Sequence, residues 1–410
     1  MTASKTFCVL PWLHLHFNSS GDVLHCCIGD EPMGHLSEGS PDEIVNNKNF
    51  KDLRLKFLNN QEPKSCAKCF EREKHGVTSM RQHHNQHFKQ NIQDLLANTN
   101  SDGSVNNFNF KYWDFRFSNL CNMKCRMCGH TFSSQWYDDE IELAKIQNRK
   151  FNLESRVINA QDKSKIDLEQ WVKDKIHDVE YCYFAGGEPL IMDEHYYILE
   201  QLIAHNRHDV KIRYNTNLLK LHYKKYDLID MWKFFDSVQI NASIDDIDSR
   251  AEYIRKGTRW VEIENNLKSL KDSKVKILIE CTTQAMNVLT IPDLYTRLDE
   301  LGIKPYQILL HNLLQTPRSH TIKILDDDLK QQVKDSFESY LNTLEPYLRE
   351  VVEPSFKTVI DYMQDMSNCE DVLELRKQFK IKQIRLDKIR NEDFRTVFPK
   401  LKDWYNAIPM

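Results

Sequence analysis

Glycine is scarce in this chain, 11 of 410 residues, which excludes glycine-patterned fibrous or low-complexity architectures and makes the adjacent pair Gly186-Gly187 stand out. Apolar runs are short: none approaches the roughly 20 residues that a membrane-spanning helix requires. Pro11, His14 and His16 interrupt Met1 to Phe17, where a signal peptide would carry its uninterrupted apolar region. Net basic charge is also missing. Lys and Arg number 56 against 60 Asp and Glu, a formal charge of −4 with pI ≈ 6.5, so non-specific nucleic-acid binding is not expected. These absences predict a cytoplasmic protein without membrane partners. Eleven cysteines in such a context argue for metal ligation over disulfides. A hydrophobic fraction of 40% supports a real core, a mean hydropathy of −0.61 implies a heavily charged surface, and the length predicts two or three domains.

The densest chemistry lies in Phe117-Ser118-Asn119-Leu120-Cys121-Asn122-Met123-Lys124-Cys125-Arg126-Met127-Cys128-Gly129, a C-x3-C-x2-C loop directly after the β-prone run Tyr112 to Phe117. Three thiolates this close can hold three corners of a cubane iron–sulfur cluster and leave the fourth iron open to a cofactor or substrate. Zinc is the alternative, but zinc fingers usually pair C-x2-4-C units and no second pair lies nearby.

This loop closely resembles the cluster motif of the radical S-adenosylmethionine (SAM) superfamily, C-x3-C-x-φ-C with φ usually aromatic; here φ is Met127, which remains apolar. The resemblance implies that Cys121, Cys125 and Cys128 ligate a [4Fe–4S] cluster whose open iron chelates SAM. One electron then cleaves the sulfonium to methionine and a 5′-deoxyadenosyl radical, which abstracts a hydrogen from an unactivated carbon. A reductant such as flavodoxin or ferredoxin is an implied partner. Downstream, Ala185-Gly186-Gly187-Glu188-Pro189 offers close backbone approach and a carboxylate that accepts from an ammonium group. It matches the family's GGEP motif, which implies that Gly186, Gly187, Glu188 and Pro189 meet the SAM amino group. Equivalent segments at later strand ends carry over Asn217, Ser243 and Asp245 as SAM contacts. Tyr253-Ile254-Arg255-Lys256-Gly257 resembles the family's Ile-Arg-x-Gly segment, in which Arg255 would pair with the SAM carboxylate; a surface helix cation is the alternative.

Residues 1 to about 75 hold five of the cysteines. Leu13 to Phe17 and Val23 to His25 alternate as a β-hairpin around Asn18-Ser19-Ser20-Gly21-Asp22, with a cysteine near each open end. Ser40-Pro41-Asp42-Glu43 starts a helix bearing Ile44, Phe50, Leu53, Phe57 and Leu58 on one face and ending near Asn59-Asn60. If that helix folds back, sulfurs of Cys8, Cys26, Cys66 and Cys69 converge. The segment resembles the auxiliary-cluster modules called SPASM and twitch: Cys8, Gly21 and Cys26 satisfy C-x9-15-G-x4-C, while a later C-x5-C-x3-C is missing, as in the shorter twitch type. The resemblance implies a second, auxiliary [4Fe–4S] cluster on Cys8, Cys26, Cys66 and Cys69, although such modules usually follow the catalytic barrel. A zinc knuckle is the alternative, and Cys27 is an alternative to Cys26. His83, His84 and His87 read as a solvated helix face, and Asn98 to Asn107 as a linker.

From Tyr112 the pattern becomes apolar strands alternating with amphipathic segments, which predicts an α/β fold with a parallel sheet. Strands are expected at 112–117, 179–184, 210–215, 237–244, 275–283 and 306–311. Six strands suit the family's partial (β/α)6 TIM-like barrel, whose chemistry sits at the C-terminal strand ends. Cys182 and Cys281 read as core residues with hydrogen-atom donation as the sharper alternative; Glu280 and His311 are candidate acid–base groups. Beyond about 325 the period is helical: Leu329, Val333, Phe337 and Leu341, then helices near 355–366 and 370–390. The basic run Lys377 to Arg390 reads as a packed helix with a solvated cationic face, or as a contact for an acidic peptide or nucleic acid.

The expected organisation is a cysteine-rich α+β auxiliary-cluster module with linker over 1–108, a radical SAM partial barrel over 109–325 and a helical region over 326–410. The expected function is radical SAM modification of a ribosomally made peptide. The alternatives are the same chemistry on a sugar, nucleotide or amino acid, and a non-catalytic metal-stabilised binding protein.

Overall fold

The computed structural model describes residues 4–74, 78–153, 155–367, 369 and 371–410. Among these, nine strands form one mainly parallel sheet: β1 (His14–Phe17), β2 (Asp22–Leu24), β3 (Gly34–His35), β4 (Tyr112–Phe115), β5 (Tyr181–Phe184), β6 (Lys211–Thr216), β7 (Val238–Ala242), β8 (Lys276–Thr283) and β9 (Ile308–Leu313), in the order β9-β8-β7-β6-β5-β4-β1-β2-β3. The six strands expected after Tyr112 are all present, displaced by at most a few residues. With helices between the parallel strands, this is an α/β sheet consistent with a partial TIM-like barrel, followed by a helical C-terminal region. No helix among the described residues is long and apolar enough to cross a membrane.

The chain divides into two compact units. Unit 1 comprises Met1–Asn119, Val157–Arg213 and Lys233–Val238. In it β1 pairs antiparallel with β2, as the hairpin pattern requires, but its other edge pairs in parallel with β4, His14 opposite Tyr112 and Phe17 opposite Phe115. β4 in turn pairs in parallel with β5, Tyr112 opposite Tyr181. The hairpin therefore extends the parallel sheet. One face of β1, β4 and β5 is aromatic and polar: His14 stacks on Tyr112 with centroids 4.2 Å apart, and buried Asp114 holds both Arg116 (2.8 Å) and His16 (3.2 Å).

Two expectations are corrected in this unit. The single helix after Ser40 is two, Pro41–Ile44 and Lys48–Leu58, because Asn47 accepts from the Phe50 amide and starts a second helix. The histidine cluster is not a fully solvated face: His83 is exposed, but His84 is buried and stacked on Tyr112, centroids 5.0 Å apart. The segment 98–107 is a tight turn bridged from Thr99 to Val105. Fully buried Arg54 ties it down, donating to the carbonyls of Gly103 (3.1 Å), Pro11 (2.8 Å) and Val45 (2.6 Å).

Unit 2 comprises Leu120–Arg156, Tyr214–Trp232 and Gln239–Met410. From Gln239, β7 pairs in parallel with β8, and β8 with β9 through an irregularity between Glu280 and Thr282. Along β8 the alternation places Ile277, Ile279 and Cys281 in the core and Glu280 on the opposite, more open face. The C-terminal helices Asp327–Leu341, Pro346–Gln364 and Val372–Arg390 pack through Leu329, Val333, Phe337, Phe356, Val359 and Phe379. Each such burial contributes roughly 1.5–3 kcal/mol. The basic helix Val372–Arg390 departs from expectation: Ile384 is 40% exposed, whereas Gln383 and Arg390 are buried.

Candidate active site and auxiliary thiol site

In unit 2 the loop bearing Cys121, Cys125 and Cys128 is gripped from several sides. Lys124–Cys125 pairs antiparallel with Arg255–Lys256, Cys125 opposite Arg255, and the Arg126 amide donates to the Ile254 carbonyl at 2.8 Å. The Trp136 indole N–H donates to the Cys125 carbonyl (3.0 Å), and the Ser134 hydroxyl accepts from the Cys121 amide (3.3 Å). Gly257 makes the pairing possible: its φ is +108°, and a Cβ there would lie 2.6 Å from the Asn122 carbonyl oxygen.

The loop's donors face its sulfurs. The Met123 amide donates to Cys121 Sγ at 3.4 Å, and Arg255 Nη1 reaches Cys125 Sγ at 3.9 Å. A hydrogen bond from Cys128 draws the Cys125 thiol below its ordinary value, against burial and with help from Arg255; the same bond pushes Cys128 up. Asp245 is buried and clasps Arg255 at 2.7 and 3.0 Å while accepting from the Thr282 amide at 2.8 Å. Burial opposes the charge on Arg255, yet Asp245 holds its pKa above the ordinary value. Two residues expected to touch SAM separately thus meet as an ion pair. Asn217 donates to Asn122 Oδ1 (2.7 Å), and Ser243 lies half-buried with its amide on the Thr216 carbonyl.

In unit 1 the Gly186–Pro189 segment follows β5. Gly186 has φ +117°, the Gly187 amide donates to the Ser118 carbonyl (3.2 Å), and buried Glu188 accepts from the Leu190 amide (3.1 Å), opening the turn Pro189–Ile191. Cys182 and Cys281 are core residues, each with its thiol pushed up by burial. On the open face of β6, β7 and β8, Glu280 accepts from the carboxamides of Asn215 and Asn241, both at 2.9 Å, and Asn312 donates to Thr282. His311 is exposed.

The auxiliary thiols are also in unit 1. Cys8, Cys26, Cys66 and Cys69 are all buried, brought together by the start of the hairpin, its end, and the turn and helix Lys64–Cys66 and Ala67–Lys74. Burial pushes the Cys8 thiol up, and nearby Cys66 and Cys69 push further; burial raises Cys26, with Cys8 and Cys66 in reach; burial takes Cys66 to about 12. Cys27 turns elsewhere, its sulfur 3.8 Å from Met80 Sδ and its charge coupled to Asp114 and Arg116. Imidazole Nε2 of His25 lies 3.5 Å from Cys66 Sγ, and burial lowers His25 to about 4, so it is neutral at pH 7.

Both sites fit iron–sulfur clusters. Asn122 Nδ2, within the C-x3-C-x2-C loop, is buried with no hydrogen-bond partner among the described residues. Burial holds Cys8, Cys26 and Cys66 as thiols, and as anions they repel one another, so metal binding would deprotonate and hold them. Among the described residues no three His, Cys, Asp or Glu side chains are arranged around a single metal-ion position.

Local pattern gave no signal for the support from the far end of the chain. Arg126, fully buried, donates to Gln383 (2.7 Å), Asp387 (2.6 Å) and Glu392 (2.5 Å) and lies 3.5 Å over the Tyr253 ring. Arg390 donates to Asp139 (2.7 Å) and, with Lys382, covers the Trp136 ring. Burial, then Arg390, lowers Lys382 to about 8, against the opposing pull of Cys128. Lys382 and Arg390 thus face the helix Trp136–Ile146 that follows the cluster loop, whereas Lys388 is exposed.

Residues 115–300 match the radical SAM superfamily model and residues 8–70 the SPASM iron–sulfur cluster-binding domain model; together they take up more than half of the chain. Similar solved structures include native anSMEcpe with bound AdoMet (18% identity, 55% of this chain and 59% of that one, TM-score 0.35). Others are native anSMEcpe with AdoMet and Kp18Cys peptide (18%, 55% and 59%, TM-score 0.36) and Streptococcus suis SuiB bound to precursor peptide SuiA (17%, 58% and 51%, TM-score 0.32). The chain thus spans less than two thirds of the length of these relatives. No curated protein matches it.

Proposed function

The chain is a radical SAM superfamily enzyme with a SPASM iron–sulfur domain, and from that premise we propose that it modifies a ribosomally made peptide. The observation that carries the reading is the pair of separate thiol sets, three in the loop (Cys121 and Cys125 buried, Cys128 half-buried) and four buried in the N-terminal module. Auxiliary-cluster modules of this kind accompany peptide modification in the family that the sequence resembles. The polar row Asn215, Asn241, Glu280 and Asn312 adds donors and acceptors suited to a backbone rich in amides.

When bound, a reduced [4Fe–4S] cluster and SAM supply a 5′-deoxyadenosyl radical that removes a substrate hydrogen atom. Cys121, Cys125 and Cys128 would hold that cluster, with the Met123 amide donating to Cys121 sulfur and Arg255 facing Cys125. Asp245 orients Arg255 and balances its charge, so the cation stays in place in a dry site. Gly186 supplies the left-handed φ of +117° and the Gly187 amide anchors the turn that carries Glu188 on the Ser118 carbonyl, while Asn217 fixes Asn122. Cys8, Cys26, Cys66 and Cys69 would hold the auxiliary cluster, and a flavodoxin- or ferredoxin-like protein would deliver electrons.

The test is SAM cleavage by reduced, anaerobically reconstituted protein against size-fractionated host lysate. Protease-sensitive stimulation of 5′-deoxyadenosine release by the peptide fraction is the expected result. Stimulation by the small-molecule fraction alone would overturn the peptide reading. Release should vanish when Cys121, Cys125 and Cys128 are replaced together by Ala.

A further inference from the structure

The sulfur of Cys66 has a neighbour that the four-thiol set does not need. His25 lies between β2 and Cys26 and is 2% exposed, with Nε2 3.5 Å from Cys66 Sγ. Its other nitrogen, Nδ1, is buried without a hydrogen-bond partner among the described residues. A neutral imidazole carries one N–H. If Nδ1 held it, a donor would be buried with no acceptor, the rarer and costlier arrangement. If Nε2 holds it, the N–H points at sulfur and Nδ1 keeps only a lone pair. The ring also has a made place: a Cβ on Gly29 would lie 2.7 Å from His25 Cε1 and 3.1 Å from Nδ1. Any side chain at 29 would displace the imidazole.

We infer that His25 Nε2–H donates a hydrogen bond to the Cys66 thiolate and thereby sets the reduction potential of the auxiliary cluster. His25 is a positioning residue, not a ligand, and the inference rests on the auxiliary-cluster reading of Cys8, Cys26, Cys66 and Cys69. Sulfur bound to iron carries no proton to donate, so in the loaded site Cys66 can only accept from Nε2–H. Donors to cluster sulfurs withdraw negative charge from the reduced state more strongly than from the oxidised state, which raises the potential.

The test uses the full chain with Cys121, Cys125 and Cys128 replaced by Ala, so that the auxiliary cluster alone gives a signal. Potentials are read by redox titration followed by electron paramagnetic resonance, with pulsed measurements in H2O and D2O for exchangeable protons near the cluster. His25→Phe should keep the iron of one cluster, shift its potential to a more negative value and lose one exchangeable-proton coupling. His25→Gln, which can restore an N–H donor, should recover part of the shift, and Gly29→Ala should move the potential the same way as His25→Phe. An unchanged potential and coupling in His25→Phe would overturn the inference. Loss of iron from both His25 variants would also overturn it, by making His25 a ligand or a folding residue. Zinc or no metal in the parent would remove the acceptor and refute the auxiliary-cluster reading itself, a result separable from the first two.

Discussion

Arg126→Met tests whether the C-terminal helix holds the cluster loop in shape. The guanidinium is fully buried between Cys125 and Met127, donates to Gln383, Asp387 and Glu392, and lies over Tyr253. Removing one partner of such a buried pair typically costs about 3–5 kcal/mol, because the opposing charge is left without compensation. Here the carboxylates keep other partners: Asp387 accepts from the Tyr253 hydroxyl (2.7 Å) and the Phe394 amide (2.8 Å), and Lys256 stays 2.9 Å from Glu392. The lower end, about 3 kcal/mol, is therefore expected, a fall in Tm of about 4 °C for a chain of this length. Denaturant unfolding under anaerobic conditions measures the loss, and iron content per chain measures loop integrity; both should fall. Asp387→Asn should cost less in the Arg126→Met background than in the wild type, since the two side chains share one interaction. Additive effects, or an Arg126→Met variant within roughly 0.5 kcal/mol of wild type, would refute the clamp.

Three further outcomes are expected. Cys26→Ala should lower iron by one cluster, whereas Cys27→Ala should leave iron content unchanged, because Cys27 faces Met80, Asp114 and Arg116; equal losses in quantitative iron analysis would contradict this assignment. Gly257→Ala should destabilise the loop by roughly 1–3 kcal/mol and reduce cluster loading, since its Cβ would meet the Asn122 carbonyl at 2.6 Å. Acid should weaken the protein through His14. Burial lowers this imidazole to about 4 against about 6.5 unfolded, so its contribution is full above 6.5 and is lost as pH falls through 4, up to about 3 kcal/mol. His14→Phe should flatten the slope of unfolding free energy against pH across that window, and an unchanged slope would exclude the group as the cause.

The parallel strands were legible because each is a short apolar run closed by polar or turn residues, and the motif-bearing turns follow directly from them. The cysteine and glycine patterns were legible for a similar reason: the chemistry sits in contiguous residues. Partnerships between distant segments were not. Leu13 to Phe17 announces a hairpin, but nothing in its alternation says that its free edge will pair with Tyr112–Phe115. Asn47 was readable as a second helix start, yet the strong Ser40 signal and the continuous apolar face masked the break.

The basic helix shows the deeper limit. A run of Lys and Arg reads as solvated because an unpaired buried cation is prohibitively costly, and that rule holds for Arg390 only once its partner is counted. Asp139, 251 positions earlier, accepts from Arg390 at 2.7 Å and from Lys124 at 2.6 Å, so one carboxylate ties the cluster loop to the end of the chain. Arg126 repeats the arrangement in reverse, a loop cation received by Gln383, Asp387 and Glu392. Charges that look like surface in sequence are thus exchanged between two segments that each need the other to be buried. It follows that the residues beyond 300, outside both matched family segments, are part of what gives the C-x3-C-x2-C loop its shape, and that losing either side of the exchange should be felt at the cysteines.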